Sequence, residues 1–423
     1  MAERKALSVK SSVELTLRQL RDFVLNEPVR RGKGRVAAWR LRFRLAGKSL
    51  LVLLLSLGRR VPVASCDVLL IHPSRKSYEQ GRKAALLQAL RSSGLHVEEF
   101  IEESDDVLIR ARQFARPAKS VPFLLYWHAA HAAFLLRRYR AKVVLTERNG
   151  WIVPSFIKAL RTEGMRVMHM AHSVPSGQSS RYAYFDYDYY LMFGRSSYDY
   201  LSSLGEAFGE CCAVFAGPYY LTDQKKTVLV DRGSQRTPRL LFLGSGPDYE
   251  PTESYQQYCN WVLRWLEQHR DAALSVKLHP RGHGKPWLDY AARSERITIL
   301  GTDETLEQCA GRFDLVLCGY TNAVLDVARA GVPFVLLGQG EDYFSVARYG
   351  LPVSVDEAHL APCVESVLSQ PEKARGRLFE FLNYHIGHAD KPLDSLVHSV
   401  RLAANGSELP GLRLSAPPPD INT

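Results

Sequence analysis

The chain has 423 residues, is 46% hydrophobic and 23% charged, and carries a net charge of +11. That length excludes a single small core and points to two domains with appendages, and the composition excludes a disordered or fibrous chain. The excess charge is confined to one end: the first sixty residues hold 15 Lys and Arg against 4 Asp and Glu, while the remainder holds 40 of each sign. A neutral body of this kind is not expected to bind nucleic acid.

The basic end contains RVAAWRLRFRLAGKSLLVLLLSLGRR, in which Arg alternates with Trp39, Phe43 and a leucine run. Its uninterrupted apolar stretch, Leu50 to Leu57, is far short of the ~20 residues that span a bilayer. Basic residues beside an apolar face suit a helix lying in a membrane interface, so residues 1–60 are expected to attach to an anionic membrane surface. A solvated basic helix packed on the body, or an RNA-binding arm, are the competing readings of the same pattern. Val63-Ala64-Ser65-Cys66 looks like a lipoprotein cleavage box, but Arg59 and Arg60 separate it from the apolar run and Cys66 leads into DVLLIHP, a strand. The seven cysteines are odd in number and form no CxxC pair, which fits a reduced, cytoplasmic compartment. The expected location is the inner face of the cytoplasmic membrane.

From Asp67 short apolar runs alternate with amphipathic ones. DVLLI reads as a strand, SYEQGRKAALLQALRSSG as a helix stopped by Gly94, and HVEEF as the next strand. Two helical stretches, including FLLYWHAAHAAFLLRRY, precede the strand KVVLTE, the helix VPSFIKALRTEG, the strands RVMHMAH and DYDYYLMFG, a helix through Tyr198, and the strand CCAVFAG. A polar stretch through residues 221–238 reads as a linker. The second series runs RLLFLGS, a helix through YCNWVLRWLEQH, ALSVKLHP, ITIL, LEQCAGRF, DLVLCGY, TNAVLDVARAG and PFVLLG. Both series are of the βα kind, which makes parallel sheets covered by helices. The expected layout is therefore α/β: a basic N-terminal helical extension (1–60), a Rossmann-like domain (61–220), the linker, a second Rossmann-like domain (239–375), and C-terminal helices that return toward the first domain (376–423). The last residues, SAPPPDINT, read as a disordered tail. Two such domains facing each other leave a cleft between the carboxyl ends of their strands, where open α/β sheets bind ligands.

Four polar clusters follow strands. In KLHPRGHG, Pro280 ends the ladder and aims His279 off the sheet edge, with Arg281, Gly282 and Gly284 offering charge and close backbone approach to an anion. In CGYTNAVLDVARAG, Thr321 and Asn322 stand where a helix begins, either as a plain helix cap or where its free N–H groups attract phosphate, and Asp326 is placed either to reach a ribose or to cap neighbouring groups. In MHMAHSVPSGQ, His172 ends a strand of the first half and has the chemistry of a general base, whereas His169 reads as structural. In TERNG, Glu147 is a second candidate base or the partner that orients His172, with Arg148 as its alternative ion-pair partner. The close His pairs 128/131, 169/172 and 279/283 lack companion ligands at metal-binding spacing, and no GxSxG or Walker lysine is present.

VKLHP followed by GYTNAVLDVARAGVPFVLL resembles bacterial glycosyltransferases of the two-Rossmann GT-B type, in the group that contains polysialyltransferases, capsule Kdo transferases and CDP-glycerol glycerophosphotransferases. KVVLTERNG, HMAHSVPSG and FDYDYYLMFGRSSYDYL resemble the first half of that group more loosely, with Ser173 where the group has Gly. The resemblance implies a metal-independent, inverting transferase. His279, Pro280, Arg281, Thr321, Asn322 and Asp326 would hold a CMP-, CDP- or UDP-linked donor, and His172 or Glu147 would deprotonate a lipid-linked or membrane-anchored glycan acceptor in capsule, lipopolysaccharide or teichoic-type synthesis. Two readings compete: a nucleotide-sugar epimerase on the same fold, and a non-catalytic nucleotide-binding adaptor of a polysaccharide assembly complex.

Overall fold

The computed structural model describes residues 2–57, 61–177, 179–221, 237–301, 304–339, 342 and 344–417. Two helices come first, α1 (Ala2–Arg30) and α2 (Gly34–Leu55), joined at Gly32 and Gly34, both of positive φ. They are not a detached arm: α1 packs on α2, and α2 packs on α6 and on the 3-10 turn Phe123–Leu125. The strand β1 (Ala64–His72) already begins at Ala64, so Ser65 and Cys66 of the cleavage-box look-alike lie inside the sheet.

The rest of the first series follows as α3 (Arg75–Glu79), α4 (Ala84–Ser92), β2 (Val97–Ile101), α5 (Asp105–Arg110), α6 (Tyr126–Arg138), β3 (Tyr139–Thr146), α7 (Val153–Leu160), β4 (Arg166–Met170), β5 (Tyr189–Met192), α8 (Arg195–Ser202) and β6 (Glu210–Phe215). The helix expected over SYEQGRKAALLQALRSSG is two helices, because Gly81 takes φ +62° between them. The second series is β7 (Arg239–Leu243), α9 (Glu253–Gln268), β8 (Ala273–Lys277), α10 (Trp287–Ala291), β9 (Ile297–Ile299), α11 (Leu306–Cys309), β10 (Leu315–Cys318), α12 (Ala323–Arg329), β11 (Phe334–Leu337), β12 (Val353–Ser354), α13 (Glu357–Ser369) and α14 (Pro371–His385), after which come α15 (Pro392–Ala404) and β13 (Leu412–Ser415).

The chain divides into two compact units, Met1–Phe193 with Ser197–Thr222 and Pro392–Thr423, and Gly194–Ser196 with Asp223–Lys391. In the first, the described strands form one sheet in the order β13-β6-β5-β4-β3-β1-β2, parallel throughout except for β13, which runs antiparallel to β6. Leu70 of β1 stands between Glu99 of β2 and Leu145 of β3. Its core joins Val68, Leu70, Leu145 and Met168 of the sheet to Leu90 of α4 and Leu396 of α15. In the second, the order is β12-β11-β10-β7-β8-β9, all parallel. Phe242, Val276, Leu317 and Val335 meet Val262 of α9 and Val364 of α13 there. Strands covered on both faces lose any alternation and read as continuous apolar runs, which is why LLFL, LVLC and FVLL were legible as strands.

The expected end of the second domain at residue 375 falls inside α14. That helix cannot be divided there, because Leu378 and Phe381 are buried on its inner face and the Phe381 ring lies 5.6 Å from that of Phe334 in β11. The return to the first unit starts at Pro392 and ends in β13, which takes Ser415 out of the expected tail. Residues 418–423 of that tail and 222–236 of the expected linker lie outside the described residues.

Candidate functional site

In the second unit the strand order reverses at β7, whose neighbours are β8 on one side and β10 on the other. This is the switch point at which a doubly wound sheet opens a crevice beyond its carboxyl ends. Three loops leave that edge: Gly244-Ser245-Gly246 after β7, His279-Pro280-Arg281 after β8, and Gly319-Tyr320-Thr321 after β10. The first of these was missed in the sequence, where GSG reads only as a loop after a strand.

A buried carboxylate ties the first two loops together. Glu250, 4% exposed, accepts hydrogen bonds from the backbone N–H groups of His283 (2.7 Å) and Gly284 (3.1 Å). Its own N–H donates to Gly246 O at 3.0 Å, and its carbonyl accepts from Gln256 Nε2 at 2.9 Å. Gly282 has to be glycine, since a Cβ there would stand 2.9 Å from Ser245 O and press on the Glu250 carboxylate. Charge-assisted bonds of this kind are among the stronger ones in proteins. HPRGHG is thus a shaped loop, and the residue that shapes it is an acid some thirty positions upstream.

Within it, the half-buried His279 accepts the Arg281 N–H at Nδ1, 3.1 Å away. A neutral ring with its Nδ1 lone pair so engaged carries its proton on Nε2. Gly246 brings the β7 loop over the ring, where a Cβ would lie 3.7 Å from the ring carbon Cε1. The side of Arg281 is exposed, as is Pro280.

Thr321, Asn322 and Asp326 lie around the start of α12. Asn322 occupies the N-cap position and makes no side-chain cap; Thr321 Oγ1 accepts from Ala323 N–H at 3.3 Å. Asp326 sits half-buried in the first turn. Thr321 and His279 therefore share one sheet edge, on strands that flank β7.

The first unit has its own switch point, between β1 and β3. Glu147 directly follows β3 and is 7% exposed. Its ion-pair partner is Lys83, itself 1% exposed, and its Oε1 accepts the Tyr219 hydroxyl at 2.6 Å. Burial, and then the Glu147 charge, push the Tyr219 phenol upward, so it remains a donor. The expected partner, Arg148, instead lies 3.7 Å from Glu102, which also meets His131 Nε2 at 3.1 Å. Burial lowers His131, but the Glu102 charge and hydrogen bond outweigh it and the net direction is up. Lys83 was missed in the sequence, although it shares the 83/86/87/90 face of α4 with three buried leucines.

Glu147 does not orient His172; Asn149 does. Asn149 Nδ2 lies 3.4 Å from His172 Nδ1, and its Oδ1 lies 2.8 Å from Nε2 of the fully buried His169. His169, stacked on Tyr187 at 4.5 Å, is held neutral by burial and then by the neighbouring His172. His172 itself keeps an exposed edge, yet loss of water around the ring lowers its pKa, opposed by Glu147 and assisted by Lys83 and Arg82. Its free-base form is accordingly favoured near neutrality.

Among the described residues no group of three or more His, Cys, Asp or Glu side chains is placed to hold a metal ion. Two Rossmann-like sheets in succession, each with polar loops at its switch point, define a fold of the GT-B type. The same fold occurs in a chain from Listeria monocytogenes named as a UDP-N-acetylglucosamine 2-epimerase, 12% identical over 82% of this chain and 99% of that one, with a TM-score of 0.50. It occurs too in S. aureus MnaA solved with UDP, 12% identical over 81% of this chain and 98% of that one, TM-score 0.51. At such identity the likeness is one of fold. No family model and no curated protein matches the sequence.

Proposed function

We propose that this chain is a glycosyltransferase, or a glycerophosphotransferase, that moves a sugar or polyol phosphate from a nucleotide-activated donor to a membrane-associated glycan acceptor. The supporting observation is the second unit's switch point, where a Gly-Ser-Gly loop, His279 with its Nδ1 accepting the Arg281 N–H, and the Thr321 loop leave one sheet edge. Donors preset in that way suit a phosphate on which charge grows as its bond to the transferred group breaks. In a sugar transfer, the acceptor oxygen forms a bond to the anomeric carbon, the carbon–oxygen bond to phosphate breaks, and the electron pair stays on the phosphate. One displacement inverts the carbon. His279 Nε2–H and Arg281 supply the charge compensation, and Asp326 would meet the ribose.

His172 is the better placed of the two candidate bases. Its pKa is lowered, whereas Glu147 has one oxygen against Tyr219 and the other against Lys83. With Asn149 donating to Nδ1, however, the neutral ring would hold its proton on Nε2. A base at Nε2 requires the Asn149 amide to turn over, so that its Oδ1 faces a protonated Nδ1 while its Nδ2 donates to His169 Nε2, the His169 proton then sitting on Nδ1. Asn149 is therefore the positioning residue of this site.

An epimerase reading is supported by the fold shared with the Listeria chain, which is named as a UDP-N-acetylglucosamine 2-epimerase. It predicts turnover of a UDP-sugar with no acceptor. Radiolabelled CMP-, CDP- and UDP-linked donors, incubated with and without membrane-extracted acceptor, separate the readings: acceptor-dependent release of nucleotide supports transfer, acceptor-independent change of the sugar supports epimerisation. Turnover undiminished in His279→Ala would remove the donor-site assignment, and no turnover of any donor would favour the adaptor.

A further inference from the structure

α2 carries two apolar faces, and the fold uses one. Ala38, Leu45, Ser49 and Val52 are buried against the first unit. That face is pinned by polar contacts: Ser49 Oγ accepts from Trp127 N–H at 3.4 Å, Ser56 Oγ lies 3.1 Å from the Tyr126 hydroxyl, and Lys48 pairs with Asp105. The opposite face exposes Val36 (67%), Trp39 (57%), Phe43 (72%), Leu50 (55%) and Leu54 (62%), with Leu57 just beyond the helix at 56%. Steps of three, four and seven residues set these on one stripe of a helix with 3.6 residues per turn. Scattered exposed leucines need no explanation; a continuous stripe does.

The charges say what covers it. On a helical wheel Arg40 and Arg44 border the stripe on one side and Arg35 and Arg42 on the other, and Gly34–Leu55 contains no acidic residue. A second copy of α2 laid on this face would bring arginines against arginines. The last six residues of the helix, Leu50–Leu55, carry no charge, and Phe123, on the turn that packs on α2, is 48% exposed. No helix of the described residues is long and apolar enough to cross a membrane.

We infer that the Val36–Leu57 face of α2 is a monotopic docking surface for an anionic lipid bilayer, lying along the interface with its leucine end deeper and its four arginines at the headgroups. This deepens the proposed function by naming what holds the enzyme at a membrane-associated acceptor, and it stands on α2 alone. It also places the polar contacts of the inner face in a role: they fix the helix to the first unit, so that binding lipid does not require α2 to leave it.

The test is co-sedimentation of the full chain with large vesicles of phosphatidylcholine alone and with added phosphatidylglycerol. The chain is expected to bind the anionic vesicles and to bind the neutral ones far less. Trp39→Gln/Phe43→Gln/Leu54→Gln is expected to weaken partitioning by roughly a hundredfold or more, and Arg40→Gln/Arg44→Gln by about twenty-fivefold on anionic vesicles. All five positions are exposed at the surface, so melting temperature and donor binding should match the parent. No binding of the parent to anionic vesicles, or equal binding of the apolar triple variant, would overturn the inference. So would a dimer in sedimentation velocity that the triple variant abolishes. Loss of donor turnover in the parent, with vesicle binding intact, would remove the proposed function and leave the docking surface standing.

Discussion

Glu250→Gln isolates the contribution of the carboxylate that shapes the HPRGHG loop. The substitution keeps the volume and one acceptor, but replaces the other oxygen with an NH2 that faces a backbone N–H. Each charge-assisted bond, to His283 N–H at 2.7 Å and Gly284 N–H at 3.1 Å, is worth about 1.5–3 kcal/mol net. Losing one and leaving its N–H opposite a donor costs about 3 kcal/mol, or roughly a hundredfold in the equilibrium for opening the loop. Hydrogen exchange followed by NMR reads this directly: the amides of His283 and Gly284 should exchange roughly a hundredfold faster, while that of Val316 in β10, bonded to Pro333 O at 2.9 Å, should not change. Donor affinity should fall with the loop. Gly282→Ala strains the same carboxylate, so the double variant should lose less than the sum of the two. Exchange at His283 and Gly284 within threefold of the parent would show that the loop holds its shape without Glu250, and would refute the reasoning.

Three further outcomes are expected. Lys83→Met leaves the Glu147 charge buried without its cation and should cost about 3–5 kcal/mol in chemical denaturation, most of it recovered in Lys83→Met/Glu147→Gln; equal losses in both variants would contradict a buried ion pair. Asn149→Asp offers a carboxylate to His172 Nδ1 and should raise the His172 pKa by about 1–3 units in an NMR titration, moving the acid limb of any pH–rate profile upward; an unmoved titration would remove Asn149 from its positioning role. His385 is fully buried, with Nε2–H donating to Phe344 O at 2.8 Å, and burial lowers its pKa to about 4. The unfolded chain takes up that proton near pH 6.5 and the folded chain does not, so this contribution to stability is complete above pH 6.5 and is lost as pH falls toward 4, at about 1.4 kcal/mol per pH unit. His385→Gln should flatten that slope in denaturation series between pH 7 and 4, and an unchanged slope would show that His385 does not carry it.

Much of the fold is legible because parallel strands buried on both faces have a plain sequence signature. LLFL, LVLC and FVLL, short and bounded by Gly, Pro or Asp, read as strands, and the βα alternation follows from them. β13 is the opposite case: four residues whose ladder partner, β6, lies some two hundred positions earlier, with Arg413 opposite Cys212. No local pattern encodes that distance. Among site residues, His279, Thr321 and His172 announce themselves by standing at strand ends. Glu250, Lys83 and Asn149, which hold them or their neighbours, sit in a turn, at a helix start and in a loop, and are ordinary in composition.

The sequence by itself determined the class of fold, the βα alternation of its two series, the confinement of charge to the first sixty residues and the strand-end positions of the candidate site. Those depend on hydrophobic periodicity and on Gly and Pro, which act within a few residues. Only the tertiary structure decided which partners those residues meet. Glu147 faces Lys83 and Tyr219 in place of Arg148, His172 is oriented by Asn149 in place of Glu147, and α2 spends one apolar face on α6 while leaving the other to the arginine-flanked surface. The physical reason is the same each time: a buried charge or an apolar face is satisfied by whatever the packing brings near, and packing joins residues that are far apart in the chain.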